Sequence, residues 1–232
     1  MEKIKNVTNV TKNKISHEAS NLPFAENGLE KMERKMIERS GINEALEEID
    51  SEITIADIGS GKQHDDKAII EANPEREIKI IGVDPNDYAS ERVSESEAGE
   101  KIESVFGKGE NLPFENEAVE IAMSNFAFQE LNDKQQQKVL EEMGRIIKEG
   151  GKIIITEDLP QEGFSAEAYA RAKIAIYNLE ISKLNMHSDE EWRKFFEENG
   201  LEVESSEKWG NDEENKKEQF VTYILKKIKE GE

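Results

Sequence analysis

The stretch "ITIADIGSGKQHDD", residues 53–66, holds the residues best placed to do chemistry. An apolar run ends on Asp57, and Gly59 and Gly61 follow one residue apart. Glycines so spaced let a backbone turn tightly and bring its amides against a ligand. Three kinds of nucleotide site use such a turn. A phosphate loop of the Walker type needs glycine at 56 and Ser or Thr at 63; Ala56 and Gln63 stand there instead, and that reading fails. A dinucleotide fingerprint needs glycine at 64, where the chain has His64. Asp65 and Asp66 would also set two carboxylates where a pyrophosphate meets a helix N-terminus. The third site, for a nucleoside without phosphate, needs an acid at the end of the next strand. Asp84, closing "IKIIGVD", is placed for that, since its two carboxylate oxygens can accept from both ribose hydroxyls. Asp84-Pro85-Asn86-Asp87 is equally a favourable strand-ending turn. Together the signals favour a site at the carboxyl ends of strands in an open α/β sheet.

Those residues need strands to carry them. "EITIADIG" (52–59), "IKIIGVD" (78–84), "AVEIAMSN" (118–125) and "GKIIITED" (151–158) are apolar runs rich in β-branched residues. Between the last two, Val139, Leu140, Met143, Ile146 and Ile147 make one apolar helical stripe, with Gly150-Gly151 as the stop signal. Continuous apolar strands separated by amphipathic helices imply a parallel sheet covered on both faces. The polar segment 86–103 is expected to hold a further helix. "SAEAYARAKIAIYNLEISKL" (165–184) reads as a longer one. "SDEEWRKFFEENG" carries a capping box, Ser188 with Glu191, and closes at Gly200. "LEVESSEKW" and "EQFVTYILKKI" follow with no helix between them, which predicts an antiparallel pair at one sheet edge.

The amino-terminal part differs. Residues 1–20 lack periodicity and read as a flexible arm. Within 21–50, Leu29, Met32 and Met36 share one helical face, and Ile42, Ala45, Leu46 and Ile49 another, so two short helices are expected to cap the site. Residues 51–232 then form the main domain, with a helical insert at about 160–190.

The 232 residues suffice for one large α/β domain. A net charge of −21 argues against nucleic acid as a partner, because phosphate backbones demand the opposite field. The lysines near both ends (Lys3, Lys5, Lys12, Lys14, Lys226, Lys227, Lys229) read as solvated tails. Having no cysteine, the chain makes no disulfide or thiolate metal site, and no metal is expected. It shows no apolar run of membrane length and no secretory signal, so the expected location is cytoplasmic, away from membranes. Oligomeric state is not legible.

The chain resembles the Rossmann-like, or class I, S-adenosylmethionine-dependent methyltransferases, particularly the type 11 small-molecule group. "DIGSGKQ" is similar to their first motif and "GVDP" to their second-strand acid motif. "GKGENLPFENEAVEIAMSNFAFQEL" resembles their central motif and "EEMGRIIKEGGKIIITE" their following helix and strand, in order, over about residues 53–158. The resemblance implies a seven-stranded, mostly parallel α/β sheet with helices on both faces and an antiparallel edge strand. It implies S-adenosylmethionine as cofactor and a small-molecule methyl acceptor as partner. Asp57, Gly59 and Gly61 would line the methionine and ribose side, Asp84 would hold the ribose hydroxyls, and Pro85 would lie against the adenine. Gly109 and Glu110 would edge the adenine site; Ser124, Asn125 and Phe126 would pass near the transferable methyl.

His187 is the candidate general base, with His64 second; the plain alternative makes His187 only the residue before an N-cap. Tyr169, Tyr177 and Met186 would line the acceptor site or form the packed face of a helix. Gln63 replaces the third glycine of the motif, putting a side chain where backbone usually meets the ligand. Lys108 replaces an acid that reaches the adenine amino group, and lysine accepts no hydrogen bond. Those departures motivate a second reading, a catalytically inactive relative serving as a binding or regulatory protein. A nicotinamide-dependent oxidoreductase is the third.

Overall fold

The apolar runs become strands whose side chains alternate between two cores. The computed structural model describes residues 37, 41–49, 52–86, 100–161, 163–177, 184–210 and 219–228, with backbone alone at 64 and 175–177. The expected arm at 1–20 lies outside the described residues, as do all but Ile37 of the first amino-terminal helix and nearly all of the helix expected within 86–103. In chain order the elements are α1 (Ile42–Glu47), β1 (Ile53–Ile58), α2 (His64–Ala72), β2 (Ile78–Asp84), β3 (Ile102–Phe106) and β4 (Val119–Asn125). A single 3₁₀ turn (Phe128–Glu130) leads to α3 (Asp133–Ile146), β5 (Ile147–Leu159), α4 (Ala166–Tyr177), α5 (Asp189–Glu198), β6 (Leu201–Gly210) and β7 (Gln219–Lys227).

The seven strands form one sheet in the order β3-β2-β1-β4-β5-β7-β6. All neighbours through β5 pair in parallel, while β7 runs antiparallel to both β5 and β6. The antiparallel pair therefore closes one edge as predicted, and the reversed strand is the one next to the rim. Ile55 of β1 packs with Leu46 of α1 and Ile69 of α2 on one face. Ala56 and Ile58 face the other, against Val139, Leu140 and Met143 of α3 and Trp192 and Phe196 of α5. Helices thus cover both faces, because a strand apolar at successive positions must bury both.

Two local readings need correction. Helix α3 ends at Ile146, four residues before Gly150, because Ile147 is already extended and pairs with Val119 of β4. Sheet pairing overrides the glycine stop signal there. Gly151 instead serves a close approach, since a Cβ on it would stand 2.7 Å from the Glu120 carbonyl oxygen. Strand β3 was not legible at all; its exposed Glu103 and Phe106 break the apolar run that marked the others.

The caps follow their sequence signals. Ser188 Oγ accepts from the Glu191 amide at 3.3 Å, and Glu191 Oε2 accepts from the Ser188 amide at 2.7 Å. At α3, Asn132 Oδ1 accepts from the Lys134 and Gln135 amides, and Gln135 Oε1 accepts from the Asn132 amide. Replacing Asn132 by alanine is expected to cost about 1 kcal/mol of stability, measurable by urea denaturation.

Candidate functional site

Strand order reverses between β1 and β4, and the carboxyl ends of these strands part there. That is where open α/β sheets form a crevice. A cleft of about 330 Å³ opens at this point. Its walls include Ile58, Gly59 and Gly61 after β1, Asp84, Pro85 and Asn86 after β2, Lys108, Gly109 and Glu110 after β3, and Ser124 to Phe128 after β4. Glu130, Leu131, Gln135 and Val139 complete it. Nine of the ten residues that the resemblance singled out therefore meet in one cleft: Gly59, Gly61, Asp84, Pro85, Gly109, Glu110, Ser124, Asn125 and Phe126. Asp57 does not line it.

The glycine loop has identifiable causes. Gly59 has φ 78°, and a Cβ there would lie 2.5 Å from the Ala127 Cβ, so glycine lets the segment after β4 pass close over the loop. Gly61 has φ 48° and open space where a Cβ would be. Its amide donates to Asp84 Oδ2 at 3.0 Å, while the Asn86 amide donates to Oδ1 at 2.7 Å. Each oxygen of a carboxylate can take more than one hydrogen bond. The Asp84 carboxylate is thus fixed in orientation, with acceptor capacity left toward the cleft.

Gln63, with φ 60°, turns its side chain away from the cleft. It is buried, and its Nε2 donates to Asp66 Oδ2 at 2.9 Å and to the Glu103 carbonyl at 3.0 Å, while Ser104 Oγ donates to its Oε1. The expectation that this side chain meets the ligand is corrected: Gln63 stitches the loop to α2 and β3. Lys108 does line the cleft.

Behind the loop, Asp57 and Asp66 are both buried, and each shifts the titration of the other. Burial, reinforced by Asp66 and Asp65, holds the Asp57 carboxyl well above the usual aspartate range. Burial also pushes Asp66 up to about 7, against the opposing pull of its bond from Gln63. The pair therefore retains a proton above the ordinary aspartate range.

The far wall rests on β4, β5 and α3. Ser124 Oγ donates to the Ile58 carbonyl at 2.8 Å, tying β4 to β1 beneath the cleft. Phe126 adopts φ 57°, unusual for a bulky residue, and its ring packs edge-on to Trp209 and Phe220. The buried Glu157 accepts from the Phe128 amide at 2.8 Å, and Asp158 accepts from Gln129 Nε2 at 2.9 Å. Burial raises the Glu157 carboxyl well above its ordinary range, and Asp158 adds to the shift. Glu110 accepts from Gln135 Nε2 at 2.8 Å, which holds its carboxyl below the ordinary range. Gln135 thus caps α3 with its oxygen and orients a cleft carboxylate with its nitrogen.

His187 stands apart from the cleft lining. Its Nε2 lies 3.0 Å from Gln136 Oε1, and its ring packs edge-on against Trp192 at 4.5 Å between centroids. Because the Gln136 amide nitrogen donates to the Phe128 carbonyl, its oxygen faces His187 and Nε2 must donate. Tyr169 and Met186 pack in a small cluster with Ala170 and Leu184. The side chains of His64 and Tyr177 lie outside the described residues. Among the described residues no group of three or more metal-ligating side chains gathers, and no helix is long and apolar enough to cross a membrane.

The chain matches the family described as "Methyltransferase domain" over residues 56–155. That span runs from β1 through most of β5 and includes the whole glycine loop and both cleft walls. Residues 56–155 thus carry the likeness to a methyltransferase domain. The sheet that carries it is Rossmann-like.

The fold is shared with several solved structures. A chain from the complex between the Haloferax volcanii Trm112 methyltransferase activator and a candidate methyltransferase is 16% identical, with a TM-score of 0.64, over 89% of this chain and 97% of that one. A candidate sarcosine dimethylglycine methyltransferase from Galdieria sulphuraria is 15% identical, with a TM-score of 0.62, over 88% and 86%. The geranyl diphosphate C-methyltransferase of Streptomyces coelicolor A3(2), solved with S-adenosyl-L-homocysteine, is 16% identical, with a TM-score of 0.58, over 76% and 73%. No curated protein matches the chain.

Proposed function

We propose that this methyltransferase domain transfers a methyl group from S-adenosylmethionine to a small-molecule acceptor bound at the mouth of the cleft. The observation that carries the reading is the Asp84 carboxylate, held by the Gly61 and Asn86 amides at the base of the cleft. The open space beside Gly61 and the absence of any side chain at Gly109 leave the cradle free for an adenosyl group. Bound there, the cofactor supplies a methyl group already activated on a sulfonium.

In this reading Asp84 binds the ribose hydroxyls, Pro85 and Gly109 flank the adenine, and Glu110 borders it. Ser124, Asn125 and Phe126 shape the end of the cleft where acceptor and methyl would meet. The protein's task is orientation and exclusion of water, and orientation alone can supply an effective molarity on the order of 10⁵ M. No base is assigned to His187, whose Nε2 is engaged by Gln136. In this reading residues 51–232 act as the catalytic domain.

Isothermal titration with S-adenosylmethionine and S-adenosylhomocysteine tests the reading, with NAD as the competing ligand. Binding of the adenosyl compounds is expected. No heat from either at millimolar concentration overturns it.

The inactive-module reading drew on Gln63 and Lys108; Gln63 faces away from the cleft, while Lys108 lines it. Gln63→Gly, which restores the commoner loop, is accordingly expected to leave cofactor affinity within about twofold. It should lower stability by roughly 1 kcal/mol, because lost buried hydrogen bonds outweigh the relief of a positive φ. A large gain in affinity would show that Gln63 does obstruct the ligand.

A further inference from the structure

The charged side chains of the cleft are unequally committed. Asp84 accepts a backbone amide on each oxygen, and Glu110 accepts from Gln135. Glu130 lines the same cleft, but among the described residues no donor or cation reaches its carboxylate. Its backbone is set by the 3₁₀ turn, where the Glu130 amide donates to the Ala127 carbonyl at 3.2 Å and Glu157 pins the Phe128 amide. The carboxylate is therefore presented by a braced turn.

Glu130 is exposed at the rim of the cleft, and the desolvation its carboxyl does undergo, with the nearby Asp84, raises it above its ordinary range. Two carboxylates facing one cleft repel each other, and a cation arriving between them relieves that repulsion. Lys108 is the one cation among the cleft's lining residues, and it interacts with Glu110 across the cleft's β3 side. Three carboxylates and one lysine also make the cleft hostile to phosphate or carboxylate groups on an acceptor.

We propose that Glu130 selects a positively charged centre of the ligand, an ammonium or sulfonium, by pairing with it inside the cleft. The proposal rests on the methyltransferase reading and sharpens it toward cationic ligands, an amine acceptor among them. The charge can come from the acceptor or from the cofactor, and three adenosyl compounds separate the sources. S-adenosylmethionine carries both a sulfonium and an ammonium, S-adenosylhomocysteine only the ammonium, and methylthioadenosine neither.

Wild type and Glu130→Gln would be titrated calorimetrically with all three. Both would then be titrated, in the presence of S-adenosylhomocysteine, with a series of alkylamines and the matching alcohols. The substitution keeps the shape, and melting temperatures verify that the variant folds. The expected result is about a tenfold loss of affinity confined to charged ligands. Loss for S-adenosylmethionine alone identifies the sulfonium, and loss for it and S-adenosylhomocysteine identifies the cofactor ammonium. Loss for the amines alone identifies the acceptor. Unchanged affinities throughout overturn the proposal, and so does an equal loss for methylthioadenosine or the alcohols, which would mark a change of shape. If wild type binds none of the adenosyl compounds, the methyltransferase reading itself fails, and this proposal falls with it.

Discussion

Asp84→Ala is expected to weaken S-adenosylmethionine binding by roughly 10- to 150-fold, while the protein stays folded. The estimate is that of hydrogen bonds to a charged acceptor, about 1.5–3 kcal/mol. Two effects add in the same direction. The variant loses the acceptor proposed for the ribose, and it releases the Gly61 and Asn86 amides that define the loop. Asp84→Asn separates them. Its remaining carbonyl can satisfy one of the two amides, so it should fall between wild type and alanine. Calorimetric Kd values for the three proteins, with melting curves as a check on folding, measure this. If Asp84→Ala binds as tightly as wild type, the ribose is held elsewhere and the cleft reading loses its base.

That prediction was available from the sequence because Asp84 ends a mostly apolar strand, and a strand's end fixes where its last side chain stands. The same reasoning located Gly59 and Gly61, which follow the end of β1, whereas Ser124 was implied only by the family resemblance. Side-chain direction was less legible. Nothing in the spacing of "DIGSGKQ" says that Gln63 turns back toward Asp66 and Glu103, since this depends on a positive φ and on partners in α2 and β3. Strand β3 itself escaped because an edge strand buries little and need not be apolar. Ile147 misled for the opposite reason. It fits the helical stripe of α3, yet its backbone is claimed by pairing with Val119 across more than twenty residues of chain. His187 was attractive as a histidine in a segment expected to cover the acceptor, and only three-dimensional packing shows Gln136 and Trp192 engaging it. Glu130 carried no signal at all, because an unpaired carboxylate is recognisable only once its neighbours are known.

Asp57→Asn is expected to make the protein more stable at neutral and alkaline pH and to flatten the pH dependence of its stability. Burial raises the carboxyl groups of both Asp57 and Asp66 above the unfolded aspartate range of about 3.9, and a proton shared between them is expected in the fold. Between that range and the pair's own titration, with Asp66 at about 7, the folded chain binds more protons than the unfolded chain. Stability therefore falls as pH rises through this window, by up to about 1.4 kcal/mol per pH unit for one retained proton. Asparagine at 57 donates permanently through Nδ2 and needs no proton from solution, so this part of the slope disappears. The difference between variant and wild type should accordingly grow by roughly 2–3 kcal/mol from about pH 5 to pH 7. Taking the difference cancels the many exposed carboxylates, which titrate alike in both proteins. Urea denaturation across that pH range is the measurement. Parallel profiles would mean that Asp57 and Asp66 share no proton, and that the loop is held by Gln63 and the glycines alone.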